Sequence, residues 1–296
     1  MSEKIGFIGL GAMGQPMSKR LLAAGYKLMA YDLRKEAIEA LVQKGAEAAG
    51  SVKEVAMKCR KVITIVPNSD AVEKVVFGAQ GYLEGAQSGD ILIEMTSAYP
   101  PSTLKINDAL RAKGIHMIDA PVSGGVIGAE AGTLSIMVGG DEAIFEACRP
   151  ILSVMGKNLF YMGGIGAGHA MKAINNFLSA TTLAATSEAL ILATKLGLNP
   201  QRVVEVLQVS TGRSYSTEIK FPKYILPRTY NSGFALGLMY KDIDTVTRMA
   251  REYKIPMFLA HLVQQIFGLA LAKNGEKEDH TMVYSCLEDL ANLSGK

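Results

Sequence analysis

The sequence is poor in the residues that bind metals or form disulfides. Three cysteines in 296 residues, Cys59, Cys148 and Cys286, lie far apart and form no CxxC pair. The four histidines are equally dispersed and include no HExxH pair. These spacings favour neither a disulfide framework nor a zinc site. We expect a protein that holds no metal and works in a reducing compartment.

An excess of one charge and long apolar runs are also missing. Lysine and arginine total 31 and aspartate and glutamate 28, so the formal net charge is +3, and no basic block occurs. A nucleic-acid groove needs such a block, so nucleic acid is not expected as a partner. The first residues lack a leader pattern, and no apolar run approaches the ~20 residues of a membrane span. We expect a cytoplasmic protein with no membrane partner.

The chain does contain a strand-turn-helix pattern at its start. The apolar run Lys4 to Ile8 leads into a GxGxxG stretch and then into a helical pattern. In the dinucleotide-binding fingerprint, the first glycine permits a tight turn, the second lets the backbone approach a pyrophosphate, and the third allows close helix packing. We therefore predict that a dinucleotide binds at Gly9, Leu10, Gly11, Ala12, Met13 and Gly14.

The choice of dinucleotide depends on the end of the second predicted strand, Lys27 to Tyr31. Asp32 follows it, where a carboxylate accepts hydrogen bonds from both hydroxyls of an adenosine ribose. The same carboxylate repels a 2'-phosphate, which favours NAD. Arg34 leaves NADP possible, because an arginine pairs well with a phosphate. A simple turn beginning at Asp32 is the other interpretation.

Two further strand ends carry polar residues. Val66 ends the buried-type strand that begins at Lys61, Pro67 and Asn68 come directly after it, and Thr96 follows the next strand. Ligands of doubly wound sheets bind at the carboxyl ends of the strands, so these residues are candidates for the nicotinamide side of a cleft. For Thr96, capping of a turn or helix is an equally good explanation.

The glycine-rich stretch after Asp119 has two interpretations. Ser123, Gly124 and Gly125 expose backbone amides that suit a carboxylate. A flexible loop without a ligand explains the same residues equally well.

Strand and helix patterns alternate up to Gly163 and Gly164, and beyond Lys195 only helices are predicted. The fold class is therefore α/β, with an N-terminal Rossmann doubly wound sheet followed by an all-α helical bundle. We predict a dinucleotide-binding domain over residues 1–163. Residues 164–296 form a helical domain for substrate and oligomerisation, which begins with a long interdomain helix, His169 to Leu196.

That helix places an amine beside two amides. Lys172, Asn175 and Asn176 stand at i, i+3 and i+4 and share one face. In a polar pocket the amine would move a proton while the amides hold a hydroxyl or carboxylate. A lysine reaching solvent from a helix end, with asparagines bonded to the backbone, is the alternative.

Several motifs in order make the chain resemble the β-hydroxyacid dehydrogenase family, which contains 3-hydroxyisobutyrate dehydrogenase, tartronate semialdehyde reductase and 2-(hydroxymethyl)glutarate dehydrogenase. The resemblance covers essentially the whole chain. The motifs that carry it are the glycine-rich turn, residues 119–125, residues 132–139, residues 166–176 and Lys241 with Asp242.

The resemblance implies an NAD(P)-dependent enzyme that interconverts a small 3-hydroxy acid and its semialdehyde. It implies Lys172 as the acid/base, Ser123, Gly124 and Asn176 as substrate-binding residues with Asn175 adjacent, and Thr96 and Lys241 near the cofactor. A homodimer or homotetramer is also implied. Arg213, in a polar loop, is a candidate for a second acidic group of the substrate or a solvated arginine. An imine reductase, a phosphorylated sugar-acid dehydrogenase and a non-catalytic assembly module are the alternatives.

Overall fold

The computed structural model describes residues 4–293 as two compact units, of which the first ends at Lys172 and the second begins at Ala173. The leader expectation falls partly on residues 1–3, which lie outside the described residues. The predicted domain boundary after Gly163 lies nine residues before the end of the first unit. The helix that was expected to join the domains contains the division between the units.

A nine-stranded sheet occupies the described part of the first unit, in the order β3-β2-β1-β4-β5-β6-β8-β7, with β9 paired to β8. The strands are β1 (Lys4–Ile8), β2 (Lys27–Tyr31), β3 (Glu47–Ala48), β4 (Lys61–Thr64), β5 (Ile91–Glu94), β6 (His116–Asp119), β7 (Val122–Ser123), β8 (Leu134–Gly140) and β9 (Gly156–Gly163). The pairs among β1 to β6 are parallel, whereas β8 is antiparallel to β6 and β7. This is the predicted doubly wound sheet with an extension beyond β6.

Alternate residues of the strands pack into two cores on opposite faces of the sheet. Ile63 and Ile93 belong to one apolar cluster, and their neighbours Val62 and Leu92 belong to the other. Successive side chains of a strand point to opposite faces, so strands that are apolar throughout need cover on both. The helices of this unit are α1 (Gly14–Ala23), α2 (Lys35–Val42), α3 (Val52–Lys58), α4 (Ser69–Phe77), α5 (Tyr82–Gly85), α6 (Pro100–Arg111), α7 (Gly125–Ala131) and α8 (Glu142–Met155).

The second unit is helical, as predicted. After Lys195 its described residues form no strand and only one isolated bridge, between Ala235 and Asp279. Its core contains Leu183, Phe221 and Phe267, all fully buried. The helices are α9 (Ala167–Lys195), which begins in the first unit, α10 (Pro200–Gln208), a π-helix (Ser216–Ile225), α11 (Leu236–Glu252), α12 (Phe258–Asn274), a 3₁₀ turn (His280–Met282) and α13 (Val283–Leu290).

One expectation about apolar runs needs correction. Helix α9 is long and apolar enough to cross a membrane by length and composition, although no run of that kind was expected. Half of its most apolar stretch is buried inside the protein, which is typical of a core helix. A search for unbroken apolar runs of ~20 residues does not find it, because serine, threonine and Glu188 interrupt the alanines, leucines and isoleucines that raise its mean hydropathy.

Candidate active site

The glycine-rich turn joins β1 to α1, and its three glycines have different surroundings. A Cβ on Gly9, whose φ is +95°, would lie 2.1 Å from the carbonyl oxygen of Ile65, and one on Gly14 would lie 2.0 Å from that of Gly9. A Cβ on Gly11 would meet nothing within 4 Å. Gly9 and Gly14 are therefore required by the protein's own packing, whereas the open space at Gly11 fits the close approach of a pyrophosphate.

Asp32 holds this turn to the end of β2. Its Oδ2 accepts a hydrogen bond from the Leu10 amide at 2.6 Å, and its Oδ1 accepts one from the Arg34 amide at 2.8 Å. The Arg34 side chain also pairs with Oδ1 at 3.3 Å and donates to the Leu10 carbonyl at 2.9 Å. Asp32 and Arg34 are thus direct neighbours, and both residues expected to decide the cofactor stand beside the glycine-rich turn.

The predicted strand ends after β4 and β5 are joined by one hydrogen bond. The Val66 amide donates to Oγ1 of Thr96 at 3.0 Å, and Thr96 is buried. Asn68 caps α4, because its Oδ1 accepts from the Ala71 amide at 2.9 Å, and Pro67 beside it is exposed. The side chain of Thr96 therefore accepts a hydrogen bond from the end of the neighbouring strand, and this contact is not a helix cap.

The stretch with two interpretations is ordered. Ser123 ends β7 and is half-buried, and Gly124 and Gly125 follow with φ of +130° and +63°. Helix α7 then begins at Gly125, where the sequence was interpreted as an anion-binding turn or a flexible loop because glycines are typical of turns. Both glycines are exposed.

Lys172 lies in the second turn of α9 and is 8% exposed. The start of that helix is fixed by Asp119 at the end of β6. Oδ1 of Asp119 accepts from the Gly166 amide at 2.7 Å, and Oδ2 accepts from the His169 amide at 2.8 Å. A Cβ on Gly168 would lie 2.3 Å from the Met137 carbonyl oxygen, so the helix start is packed directly against the sheet. The lysine is therefore not a solvated residue at a helix end.

Asn175 and Asn176 belong to the second unit, where Asn176 is held by a carboxylate. Nδ2 of Asn176 donates to Oδ2 of Asp242 at 2.5 Å, and Asn175 Nδ2 donates to Oδ1 of Asn176 at 3.1 Å. Oδ1 of Asp242 pairs with the Lys241 ammonium at 2.9 Å. Asp242 is 3% exposed and thus links the predicted substrate amide to the predicted cofactor lysine.

Arg213 is largely exposed. Its Nε lies 3.3 Å from Oε1 of Glu218, and its side chain is 66% exposed. The loop and the beginning of the π-helix are tied by Thr217, whose Oγ1 accepts from the Ser214 amide at 2.9 Å. The exposed ion pair with Glu218 is consistent with both interpretations of Arg213, a solvated arginine and a residue that binds an acidic ligand.

Asp119 and Asp242 had no assigned role in the sequence, where both appeared only as parts of the motifs that carry the family resemblance. Asp119 is fully buried and Asp242 nearly so. A carboxylate next to a predicted core segment indicates a buried, paired charge, since buried charges need partners. The sequence does not identify the partner, because Asp119 and Gly166 are 47 residues apart.

Comparison with known proteins finds family models over most of the chain. The family model described as the NAD binding domain of 6-phosphogluconate dehydrogenase matches residues 4–163. The model described as the NAD-binding of NADP-dependent 3-hydroxyisobutyrate dehydrogenase matches residues 166–287. A 2-(hydroxymethyl)glutarate dehydrogenase from Eubacterium barkeri is 41% identical over 99% of this chain and 97% of that protein.

The chain belongs to the β-hydroxyacid dehydrogenase family.

This β-hydroxyacid dehydrogenase is also similar to the 2-hydroxy-3-oxopropionate reductase of Escherichia coli, with 36% identity over 98% of both chains. Among solved structures, a Mycobacterium tuberculosis 3-hydroxyisobutyrate dehydrogenase with L-serine has a TM-score of 0.90 at 29% identity and covers 97% of this chain and 99% of its own. The expected class is thereby confirmed. The chain is an NAD(P)-dependent oxidoreductase of 3-hydroxy acids and their semialdehydes.

The alternative of an imine reductase is a more distant likeness. An imine reductase from Myxococcus stipitatus has a TM-score of 0.67 at 19% identity, covering 97% of this chain and all of its own. An identity this low shows a shared fold alone.

Proposed function

We propose that Lys172 is the general acid/base of this β-hydroxyacid dehydrogenase and that NAD is its preferred cofactor. The observation that carries the assignment is a lysine of 8% exposure whose helix start is fixed by Asp119. A buried amine needs a reason, and a positioned proton donor contributes on the order of 10²- to 10⁴-fold to a rate. Nicotinamide, when bound, supplies the hydride chemistry.

Most of the residues that would hold the cofactor belong to the first unit described above. The glycine-rich turn offers Gly9, Leu10, Gly11, Ala12, Met13 and Gly14, and Asp32 with Arg34 stands at the adenosine end. Val66, Pro67, Asn68 and Thr96 are the strand ends proposed for the nicotinamide side, and Lys241 is a further cofactor residue of the second unit.

The substrate is a small 3-hydroxy acid or its semialdehyde. The backbone amides of Ser123, Gly124 and Gly125 would receive its carboxylate, and Asn175 and Asn176 would hold oxygen atoms of the substrate. During oxidation Lys172 accepts the hydroxyl proton, and during reduction it returns a proton to the forming alkoxide. Arg213 is a candidate for a second acidic group, since its guanidinium is exposed and suits a carboxylate or sulfonate.

Lys172→Met tests the assignment, with Lys195→Met, an exposed lysine of the same helix, as the matched control. NADH binding is followed by fluorescence, and turnover by absorbance with succinic, tartronic, methylmalonic and 2-formylglutaric semialdehydes and sulfolactaldehyde. We expect normal NADH binding and loss of turnover by about 10²-fold or more in Lys172→Met alone. Normal turnover in that variant contradicts the assignment. A wild-type protein that binds NADH but reduces no member of the panel instead points to an imine, a phosphorylated sugar acid or an assembly role.

A cytoplasmic homodimer or homotetramer formed through the helical unit completes the proposal. Phe258 of α12 is 87% exposed, and Leu259 and Leu262 beside it are more than half exposed. Large apolar side chains grouped in this way are typical of protein interfaces. Light scattering on the purified protein would give the mass of two or four chains, and a monomer would contradict this part of the proposal.

A further inference from the structure

A second pair of ionisable side chains is buried at the start of α9. Oε2 of Glu94, the last residue of β5, lies 2.9 Å from Nε2 of His169. Their side chains are 1% and 0% exposed. Neither residue has a role in the function proposed above, and a carboxylate and an imidazole removed from water need a compensating gain.

The surroundings of His169 favour its protonated form. Nδ1 lies 2.7 Å from Oγ1 of Thr103, and that hydroxyl also lies 3.3 Å from the Tyr99 carbonyl oxygen. Nε2 faces the Glu94 carboxylate at 2.9 Å, and Asp119 adds a second negative charge on the other side of the ring. Two carboxylates beside a buried imidazole favour the imidazolium, in which both ring nitrogens carry protons. Burial alone lowers the pKa of His169, but the charge of Asp119 and the contact with Glu94 outweigh it and raise the pKa above its ordinary value.

The pair joins two parts of the candidate active site within the first unit. On one side, Oε1 of Glu94 accepts from the Thr96 amide at 2.8 Å, and Thr96 in turn accepts from Val66. On the other side, His169 precedes Lys172 by three residues and lies on the same helix face. A continuous set of polar contacts thus runs from the strand ends proposed for nicotinamide to the helical turn that carries the lysine.

Stability does not explain such a pair. A buried ion pair loses much of its attraction to desolvation, and apolar residues of similar volume often serve as well. Correct placement of a catalytic group is a stronger explanation, because a displacement of 1 Å costs about 10²-fold in rate.

From this geometry we infer that Glu94 and His169 are positioning residues that align Lys172 with the cofactor-side strand ends Val66 and Thr96. The inference rests on the proposed role of Lys172. Asp119 already fixes the backbone of the first turn of α9. The Glu94–His169 pair is therefore not needed for the helix to form, and it acts on the orientation of that turn and on the surroundings of its side chains.

The first test uses the protein without cofactor. Nitrogen-15 spectra of histidine-labelled protein at about pH 8 report whether each ring nitrogen is protonated, and a free histidine is neutral at that pH. The His169 signal is assigned by its loss in His169→Gln. We expect an imidazolium in the wild type and a neutral ring in Glu94→Gln. The glutamine amide keeps the size of the carboxylate but carries no negative charge, and its NH₂ group can donate a hydrogen bond to an unprotonated Nε2.

The second test measures turnover per NADH-binding site, counted by fluorescence titration. We expect Glu94→Gln to lower kcat by about 10- to 100-fold while the dissociation constant for NADH changes less than about threefold. His116→Gln, an exposed histidine at the start of β6, is the matched control and should behave as the wild type. A purely structural role would lower the melting temperature and the number of binding sites but leave turnover per site unchanged.

A neutral His169 in the wild type overturns the inference, and that result needs only the His169→Gln variant for its assignment. Unchanged kcat per site in Glu94→Gln also overturns it. Lys172→Met, measured in parallel, separates this failure from that of the proposed function. If Lys172→Met keeps its turnover, the acid/base assignment fails whatever the imidazole spectra show. If Lys172→Met is inactive and Glu94→Gln is normal, only the positioning role is wrong.

Discussion

The backbone amide of Leu10 donates a hydrogen bond to Oδ2 of Asp32 at 2.6 Å, and this contact ties the glycine-rich turn to the end of β2. The other carboxylate oxygen accepts from the backbone and side chain of Arg34. One carboxylate therefore shapes the turn and, in the proposed cofactor site, also places a negative charge where the two dinucleotides differ. Its removal should change cofactor preference more than it changes the chemical step.

The first prediction concerns Asp32→Asn. The ratio of kcat/KM for NADH to that for NADPH should fall by about tenfold or more, since the repulsion of a 2'-phosphate disappears and Arg34 is released from its partner. Steady-state rates with both cofactors measure this. Glu36→Gln, an exposed carboxylate in the first turn of α2, is the control and should leave the ratio unchanged. If Asp32→Asn keeps the wild-type ratio, Asp32 does not select the cofactor.

The second prediction concerns Asp242→Asn. Asn176 would lose its charged acceptor, and hydrogen bonds to charged groups are worth ~1.5–3 kcal/mol. The KM for the hydroxy acid should therefore rise by about tenfold or more, because Asn176 is proposed to hold the substrate. The control is Asp244→Asn on the same helix, whose carboxylate accepts from Gln264 at 2.9 Å. Equal KM values in the two variants would argue against a substrate role for Asn176.

The third prediction concerns pH and stability in the second unit. Burial lowers the pKa of Lys220 from 10.5 to about 7, with Asp279 acting in the opposite direction, and its ammonium contacts Ser179 Oγ at 2.9 Å. Between these two pKa values the unfolded chain binds the proton more tightly, so the Lys220 contribution to stability rises with pH. Burial and the charge of Lys220 lower the pKa of its neighbour His280 to about 3, so His280 stays neutral in this window.

In Lys220→Met this dependence should disappear. The free energy of unfolding of the variant minus that of the wild type should fall by about 1.4 kcal/mol for each pH unit above about pH 7. Urea unfolding at several pH values measures it. Lys223→Met replaces an exposed lysine of the same π-helix and should show a constant difference. A constant difference in Lys220→Met as well would mean that Lys220 stays protonated in the folded protein.

Local sequence patterns predicted those strands and helices in which the residue types themselves favour the observed secondary structure. The bounds of β1 and β2 match the expected ranges, because both are short apolar runs. Helix α7 was missed, since Gly124 and Gly125 at its start were interpreted as residues of a turn or loop. Its Gly128 and Ala129 are buried, so packing and not helix propensity maintains it. The π-helix was also missed, because its unusual hydrogen bonding has no periodic sequence pattern.

The candidate site divides in the same way. Spacing alone placed Gly9, Gly11 and Gly14 in one turn and Lys172 one helical turn from Asn175 and Asn176, since both relations are local. The sequence by itself thus determined the alternating strands and helices, the dinucleotide turn and the polar helix face. Only the tertiary structure decided that Asp119 fixes the start of α9, that Asp242 holds Asn176 and that Glu94 meets His169. These partners are 47 to 75 residues apart, and charges buried together are selected by folding in three dimensions, which no local periodicity encodes.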